Sequence, residues 1–582
     1  MKRFSVLFAL ALAACLGAAE PQASPDDATP IVRTVSTGSL SGRASEGVHI
    51  WRAVPFAAAP VGALRWRAPR PPEPWSGVRD AAGPSPWCPQ VLSALDGVSR
   101  SRWGELAGQE DCLFLDVYAP AMTDSAAAQA RLPVMMWIHG GSNVWGRAEQ
   151  YNASELARRH NVIVVVAQYR LGPLGWFAHP ALREGGDLSE DASPNFGTLD
   201  NIRALEWIRD EISAFGGDPN LITIFGESAG GQNVAALLAS PRARGLFHRA
   251  IVQSGSFAST PLAEAEGLDT NARSDSGTAV AVRLLAGGNI TGQALRDVPL
   301  EAIFAAYDTS RGAFDPPRVI ADGIVLPAAG IEAVLGSDDT YNNVPVMLGA
   351  NRDETKLFNA LNPDLTRRVL WLFPQARDLN LYNAISDYQS RMWRSSAVDA
   401  PAELMTGAGN PAIYIYRFDW DDQGAILFTD LGTLLGAAHS MEIPFVFGHF
   451  RLLGSYDRFA FTRANRDERV ALSDAMMSYW VNFARTGAPG RGVDGGLPEW
   501  NAARSPAGAA IMILDAASDG GVRIADDVET PERIVRDLFS DSRLDTDAER
   551  CFVFRATERW NPELVGMDGA RCAGAEGVLA TQ

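Results

Sequence analysis

Gly226-Glu227-Ser228-Ala229-Gly230 sets a serine among residues with almost no side chain, between the apolar run Leu221–Phe225 and the apolar stretch Val234–Leu238. A serine on a sharp strand-to-helix turn sits in a strained backbone with its hydroxyl lifted clear of the sheet. Residues two positions away then approach so closely that side chains would collide, which explains the glycines. The turn also aims the following backbone N–H, that of Ala229, at a reacting carbonyl. The five-residue pattern recurs by chance as a structural turn in glycine-rich chains. Here the strand before it and the helix after it supply the context of a nucleophile.

A hydroxyl is a weak nucleophile until a base takes its proton. The chain has seven histidines, at positions 49, 139, 160, 179, 248, 439 and 449. Enzymes built on such a turn place serine, acid and histidine in that chain order, which leaves His439 and His449 once an acid must intervene. His439 follows Gly436, Ala437 and Ala438, small residues that let a loop carry an imidazole to the serine. His449 follows the apolar run Ile443–Gly448, where it packs or faces solvent. The acid should close a strand and hold the imidazole's second nitrogen. The stretch Val344–Glu354 offers Asp353 and Glu354, and spacing does not choose between them. An oxyanion needs backbone donors, and Ile138–Gly146 is a glycine-rich loop after a strand, with His139 placed to anchor it.

These groups need a sheet to carry them. Leu132–Gly140 and Asn161–Tyr169 are continuous apolar runs of strand length, as expected for strands buried on both faces. Leu199–Gly217 spaces Ile202, Leu205, Ile208 and Ile212 at helical intervals and ends in glycine; Asn343–Glu354 reads as a strand and Met476–Gly487 as a helix. Strands alternating with helices predict an α/β architecture with a large, mostly parallel sheet flanked by helices. Residues 31–540 read as one catalytic domain and 541–582 as a C-terminal extension.

At the N-terminus, Lys2 and Arg3 precede the short apolar stretch Phe4–Ala14, the pattern of an export signal within residues 1–19. Leu12-Ala13-Ala14-Cys15 resembles a bacterial lipobox, which would anchor the protein through a lipid on Cys15; cleavage after Ala19 would instead release a periplasmic or secreted protein. No later run reaches membrane-spanning length. Four further cysteines allow three pairings, and the pairs close in sequence, Cys88 with Cys112 and Cys551 with Cys572, are the expected disulfides of an exported chain. A formal net charge of -18 argues against nucleic acid as a partner. Lys2 and Lys356 are the only lysines, which disfavours Schiff-base chemistry, and neither an H-E-x-x-H pair nor zinc-spaced cysteines occur. No metal or organic cofactor is expected.

The chain resembles the type-B carboxylesterases, the α/β-hydrolases that include cholinesterases and bacterial p-nitrobenzyl esterases. The likeness runs from Trp51–Pro69 through Glu110–Pro120, Gln168–Phe177, Phe215–Gly231, Val252–Phe257 and His439–Gly448 to Phe483–Gly490 and Leu497–Trp500. It implies Ser228 as nucleophile, Glu354 rather than Asp353 as acid, and His439 as base. It further implies Gly141, Ser142 and Ala229 as oxyanion donors, Ser254 as a supporting residue behind the triad, and Cys88–Cys112 as the family's first disulfide. Three positions depart from the family pattern. Ser142 stands for a third glycine, Asn143 for an aromatic residue and Thr355 for the glycine after the acid, so that Ser142 and Asn143 are expected where acyl groups pack. Trp103 lies near the position of a choline-binding tryptophan but one residue out of register, and is read as a packed or surface residue.

The implied reaction is hydrolysis of small carboxylic esters through an acyl-enzyme. Acyl transfer and lactone or amide cleavage would use the same triad, and adhesion-type members of this fold act through their surfaces after losing the serine.

Overall fold

Apolar runs that alternate their side chains between two cores make the centre of the molecule. The computed structural model describes residues 30–558, 564, 567 and 569–572, apart from 94–97, 270–272, 308–317, 370–372, 453 and 504–509. The export signal and Cys15 lie outside the described residues.

Thirteen strands form the main sheet: β1 (Pro30–Val35), β2 (Gly38–Ser45), β3 (Val48–Pro55), β4 (Val78–Asp80), β5 (Phe114–Pro120), β6 (Leu132–Ile138), β7 (Ile163–Ala167), β8 (Gly217–Glu227), β9 (Arg249–Gln253), β10 (Val346–Asn351), β11 (Ile413–Phe418), β12 (Ala510–Leu514) and β13 (Arg523–Asp526). Their spatial order is β1-β2-β3-β5-β7-β6-β8-β9-β10-β11-β12-β13, with β4 beside β2. From β7 across to β12 every neighbour is parallel, and the flanking strands pair antiparallel except β4, which runs parallel to β2. Parallel strands need crossover helices, and these cover both faces. On β6, Val134, Met136 and Ile138 enter one core with helices α2 (Phe196–Glu211) and α3 (Ala229–Ala239). Met135 and Trp137 enter the opposite core with α1 (Ser154–His160) and α5 (Arg466–Thr486).

The helix predicted from Leu199 begins three residues earlier, at Phe196, and passes into a 3₁₀ turn at Ile212–Phe215 that ends on Gly216 with φ 93°. A buried ion pair, Arg170 to Asp200 at 2.7 Å, fixes α2 against the end of β7. On the far side, α4 (Leu379–Arg394) packs with α6 (Pro531–Phe539) and α7 (Asp547–Glu558) in a separate apolar cluster that includes Tyr382, Tyr388, Ile534 and Phe554. Elements from both sides of residue 540 therefore share one core with α4. Both expected disulfides are formed, Cys88–Cys112 and Cys551–Cys572. Among the described residues no helix is long and apolar enough to cross a membrane.

Candidate active site

Strand β8 ends at Glu227 and α3 begins at Ala229, so Ser228 alone makes the turn, with φ 58° and ψ -123°. A non-glycine residue in that conformation is strained, and the surroundings hold it there: the Ser228 amide donates to Gln253 O at 2.9 Å, and its carbonyl accepts from Gln232 N. The flanking glycines are steric requirements. A Cβ on Gly226 would lie 2.6 Å from Ile138 O, and one on Gly230 would lie 2.0 Å from the same oxygen. Sheet and helix thus meet at van der Waals limits beneath the serine.

Beside it runs the loop after β6. Gly141, Ser142 and Asn143 all take positive φ, at 94°, 53° and 58°, and the Gly141 carbonyl accepts from Val144 N and Trp145 N. His139 anchors this loop as expected, fully buried and stacked on Tyr169 at 4.5 Å, with Nδ1 at 2.9 Å from Gly140 O. Burial pulls its pKa down to about 4, so it is neutral at physiological pH. None of the hydrogen bonds among the described residues uses the amides of Gly141, Ser142 or Ala229. Asn143 corrects the expectation for acyl packing. Its side chain is buried, bonds Gln232 and Asn233 of α3, and so ties the loop to the helix instead of lining the pocket.

His439 arrives on a loop held by the end of β10. Its amide donates to Glu354 O, the Asp353 amide donates to Ala437 O, and Ala437 N reaches Asp353 Oδ2 at 3.1 Å. Asp353 is further tied to Arg352 and to Lys356. The two acids that spacing left open therefore have different surroundings: Asp353 pins the loops together, and Glu354 faces the imidazole. Glu354 Oε2 lies 2.6 Å from His439 Nδ1, and its Oε1 accepts the Asn351 amide at 2.7 Å. Thr355 secures the acid's other flank, its amide donating to Ser390 Oγ and its hydroxyl to Ser386 O on α4. Trp393 and Phe358 wall the imidazole, with ring centroids 4.8 and 5.4 Å away.

What surrounds this pair left little mark on residue order. Nε2 of His439 lies 3.1 Å from Glu227 Oε1, which also accepts the Ser440 hydroxyl at 2.7 Å. Behind it, Glu442 accepts from Gln253 and Asn351, and Gln253 accepts from Trp480 Nε1. Burial alone would lower the His439 pKa, but Glu227 and Glu354 override it and raise it to about 9. Burial, resisted by the imidazole and reinforced by Glu442, pushes the Glu227 carboxyl above the usual carboxylate range. The one available hint of this network was that Glu227 occupies the variable position next to the serine. Among the described hydrogen bonds none joins Ser228 Oγ to the imidazole, yet both side chains line the same pocket of about 830 Å³, with Ser142, Trp145 and Phe358. Substrate-free sites commonly hold such bonds long and tighten them only with substrate in place.

Ser254 lies buried at φ 48°, its amide on Gly349 O, while its Oγ has no partner among the described residues. His449 does line the pocket; its Nε2 accepts the Asn152 amide, and burial with the Arg451 charge lowers its pKa to about 4. Trp103 is 44% exposed and does not line the pocket. One group of carboxylates among the described residues could share a cation, Asp421, Asp422 and Asp519, and none of them lines the pocket either.

The sequence model of the carboxylesterase family matches residues 28–369 and 373–519. A para-nitrobenzyl esterase of Bacillus subtilis (strain 168) is 34% identical over 485 residues, covering 78% of this chain and 90% of the relative. A human cocaine esterase is 35% identical over 520 residues, covering 82% and 86%. Among solved structures, a PNB esterase superposes with a TM-score of 0.67 at 32% identity, over 87% of this chain and 99% of that one. A Geobacillus stearothermophilus carboxylesterase gives 0.65 at 29% identity, over 85% and 98%. The fold is that of the α/β-hydrolases, and the chain belongs to the carboxylesterase family. It is a serine carboxylic ester hydrolase.

Proposed function

We propose that Ser228, His439 and Glu354 form the catalytic triad and that the reaction proceeds through an acyl-enzyme. Nε2 of His439 takes the Ser228 proton as Oγ attacks the ester carbonyl, and Glu354 holds the imidazole's tautomer and offsets its charge through Nδ1. The amides of Gly141, Ser142 and Ala229 receive the oxyanion, each donor typically contributing about 3 kcal/mol at the transition state. His439 then protonates the departing alkoxide, and the same nitrogen activates the water that releases the acid. The observation that carries this reading is the 2.6 Å contact between His439 and Glu354 on the wall of the pocket that also holds Ser228. Attack requires Nε2 to exchange its Glu227 contact for Ser228, whose side chain lines the same pocket. Ser254 acts behind this group through its strained backbone at the end of β9.

Ser228→Ala is the test. It is expected to abolish covalent labelling by a fluorophosphonate and to lower hydrolysis of short-chain p-nitrophenyl esters by about 10⁴-fold or more. Labelling that persists in this variant would remove Ser228 as the nucleophile. The substrates proposed are small-molecule esters; product analysis with competing alcohols separates hydrolysis from acyl transfer.

We also propose a bacterial, exported protein, periplasmic, secreted or lipid-anchored at Cys15. The N-terminal segment supports this, and the two disulfides fit an oxidising compartment. Mass spectrometry of the mature N-terminus tests it: a free Glu20 start excludes the lipid.

A further inference from the structure

The pocket above Ser228 carries a charge pattern opposite to that of the chain. Against a formal net charge of -18, four arginines line it among the described residues, Arg147, Arg451, Arg458 and Arg469, with only two carboxyls, Glu227 and Asp457. The Glu227 carboxylate is already engaged on the floor, with Oε1 3.1 Å from His439 Nε2 and accepting the Ser440 hydroxyl at 2.7 Å. Asp457 is turned inward to its own loop, where Oδ1 accepts the Leu452 amide at 3.0 Å.

The arginines divide into two kinds. Arg147 lies 4.2 Å over the Trp87 ring and 3.7 Å from Glu149. Arg469 is buried, donates to Thr462 O and Asn465 Oδ1, and lies 4.7 Å over Phe450. Both are committed to holding the wall. Arg451 and Arg458 are exposed and form no ion pair among the described residues; Arg458 stacks on the neighbouring Phe459 ring at 4.6 Å, which leaves its N–H edge available. Two guanidinium forks thus face one concave, partly apolar space that also contains the nucleophile. A guanidinium matches a carboxylate in shape, and a concave wall concentrates its field more than a flat surface does. The acidic remainder of the chain repels anions at long range, so any attraction must be local to this rim.

We propose that the pocket selects esters bearing a carboxylate remote from the scissile bond, bound by Arg451 and Arg458. This rests on Ser228 as the nucleophile and adds the substrate class.

The test uses two matched ester pairs. For the acyl side, mono-p-nitrophenyl adipate is compared with p-nitrophenyl hexanoate; for the alcohol side, 4-acetoxybenzoate with its methyl ester. In the doubly substituted Arg451→Gln, Arg458→Gln protein, the anionic-to-neutral ratio of kcat/KM is expected to fall about tenfold in one pair, mainly through KM. The Arg451→Lys, Arg458→Lys protein should recover part of the ratio, because the charge is kept while the bidentate fork is lost. In the unmodified enzyme the ratio should shrink as salt rises from about 0.01 to about 1 M. A fall confined to the adipate pair places the anion on the acyl part, and one confined to the benzoate pair places it on the alcohol. Ratios equal in all three proteins for both pairs overturn the inference while leaving the esterase mechanism standing. Absence of both hydrolysis and fluorophosphonate labelling in the unmodified enzyme overturns the Ser228 assignment, and this inference with it.

Discussion

The floor and the rim of the pocket are built on opposite terms. On the floor, Glu354, Glu442, Gln253 and His439 are buried, every one of them is hydrogen-bonded, and the backbone is packed so closely that two glycines cannot take a methyl group. On the rim, residues 451–458 carry exposed arginines and a glycine, Gly454, whose Cβ would meet nothing within 4 Å. Chemistry needs atoms held to within fractions of an ångström, and a buried network supplies that. Recognition of varied substrates tolerates a looser wall. The contrast predicts that floor substitutions act on kcat and rim substitutions on KM.

Among substitutions that keep the nucleophile, the largest effect should come from Glu354→Gln. It preserves shape but removes the charge that supports the imidazolium and allows the wrong tautomer at Nδ1, so kcat is expected to fall by about 10³- to 10⁴-fold with KM little altered. Steady-state kinetics on p-nitrophenyl butyrate measure this. A loss below tenfold would mean that another carboxylate, Glu227 or Glu442, supports the base.

Next come the glycines. Gly230→Ala drives a methyl to within 2.0 Å of Ile138 O, a backbone atom that cannot step aside, so sheet and helix must separate. The expected cost is about 2–3 kcal/mol of stability with a disproportionate loss of kcat, because Ser228 rides on that contact. Gly454→Ala meets only the cost of its positive φ of 60°, about 1 kcal/mol. Denaturant unfolding of the two proteins side by side tests the comparison directly; equal costs would show that the floor is softer than its geometry indicates.

Glu227→Gln has a smaller effect and a distinctive sign. The Glu227 carboxylate stabilises protonated His439, which raises the imidazole pKa, and only the neutral imidazole can accept the Ser228 proton. Removing the charge lowers the pKa, so the acid limb of the kcat/KM profile should move to lower pH by about one unit. A limb that stays in place would assign it to a group other than His439.

Much of the floor was legible from residue order because nucleophile turns have steric requirements that only certain residues meet. Gly226 and Gly230 announce Ser228, and small residues announce the His439 loop. The acid was not legible from spacing: Asp353 and Glu354 are adjacent and chemically alike, and their divergence depends on Lys356, Ala437 and Ser390 converging from different segments. The resemblance to carboxylesterases chose Glu354, the acid whose Oε2 lies 2.6 Å from His439 Nδ1. Glu442, Asn351 and Gln253 could not be read at all, since a buried polar residue looks like an exposed one until its partners are known. Asn143 shows the converse. Its substitution for an aromatic residue pointed toward the substrate space, whereas its amide had two partners on α3 that the sequence did not advertise.

The smallest effect on catalysis, and still a measurable one on stability, belongs to the cluster farthest from this contrast. Helix α4 has two roles: Ser386 and Ser390 hold Thr355 next to the acid and Trp393 walls His439, while Tyr382, Ile385 and Tyr388 pack against α6 and α7. The Cys551–Cys572 bridge closes that outer layer. Replacing both cysteines by serine frees a loop of 21 residues in the unfolded chain, a destabilisation of about 3 kcal/mol in the loop-entropy account. Because the inner face of α4 keeps its own hydrogen bonds, kcat/KM at 25 °C should stay within about twofold of the unmodified enzyme. Thermal unfolding and kinetics on the same preparation separate the two effects. A parallel loss of activity would show that α4 transmits looseness inward, and that the floor's rigidity depends on the C-terminal helices as well as on its own network.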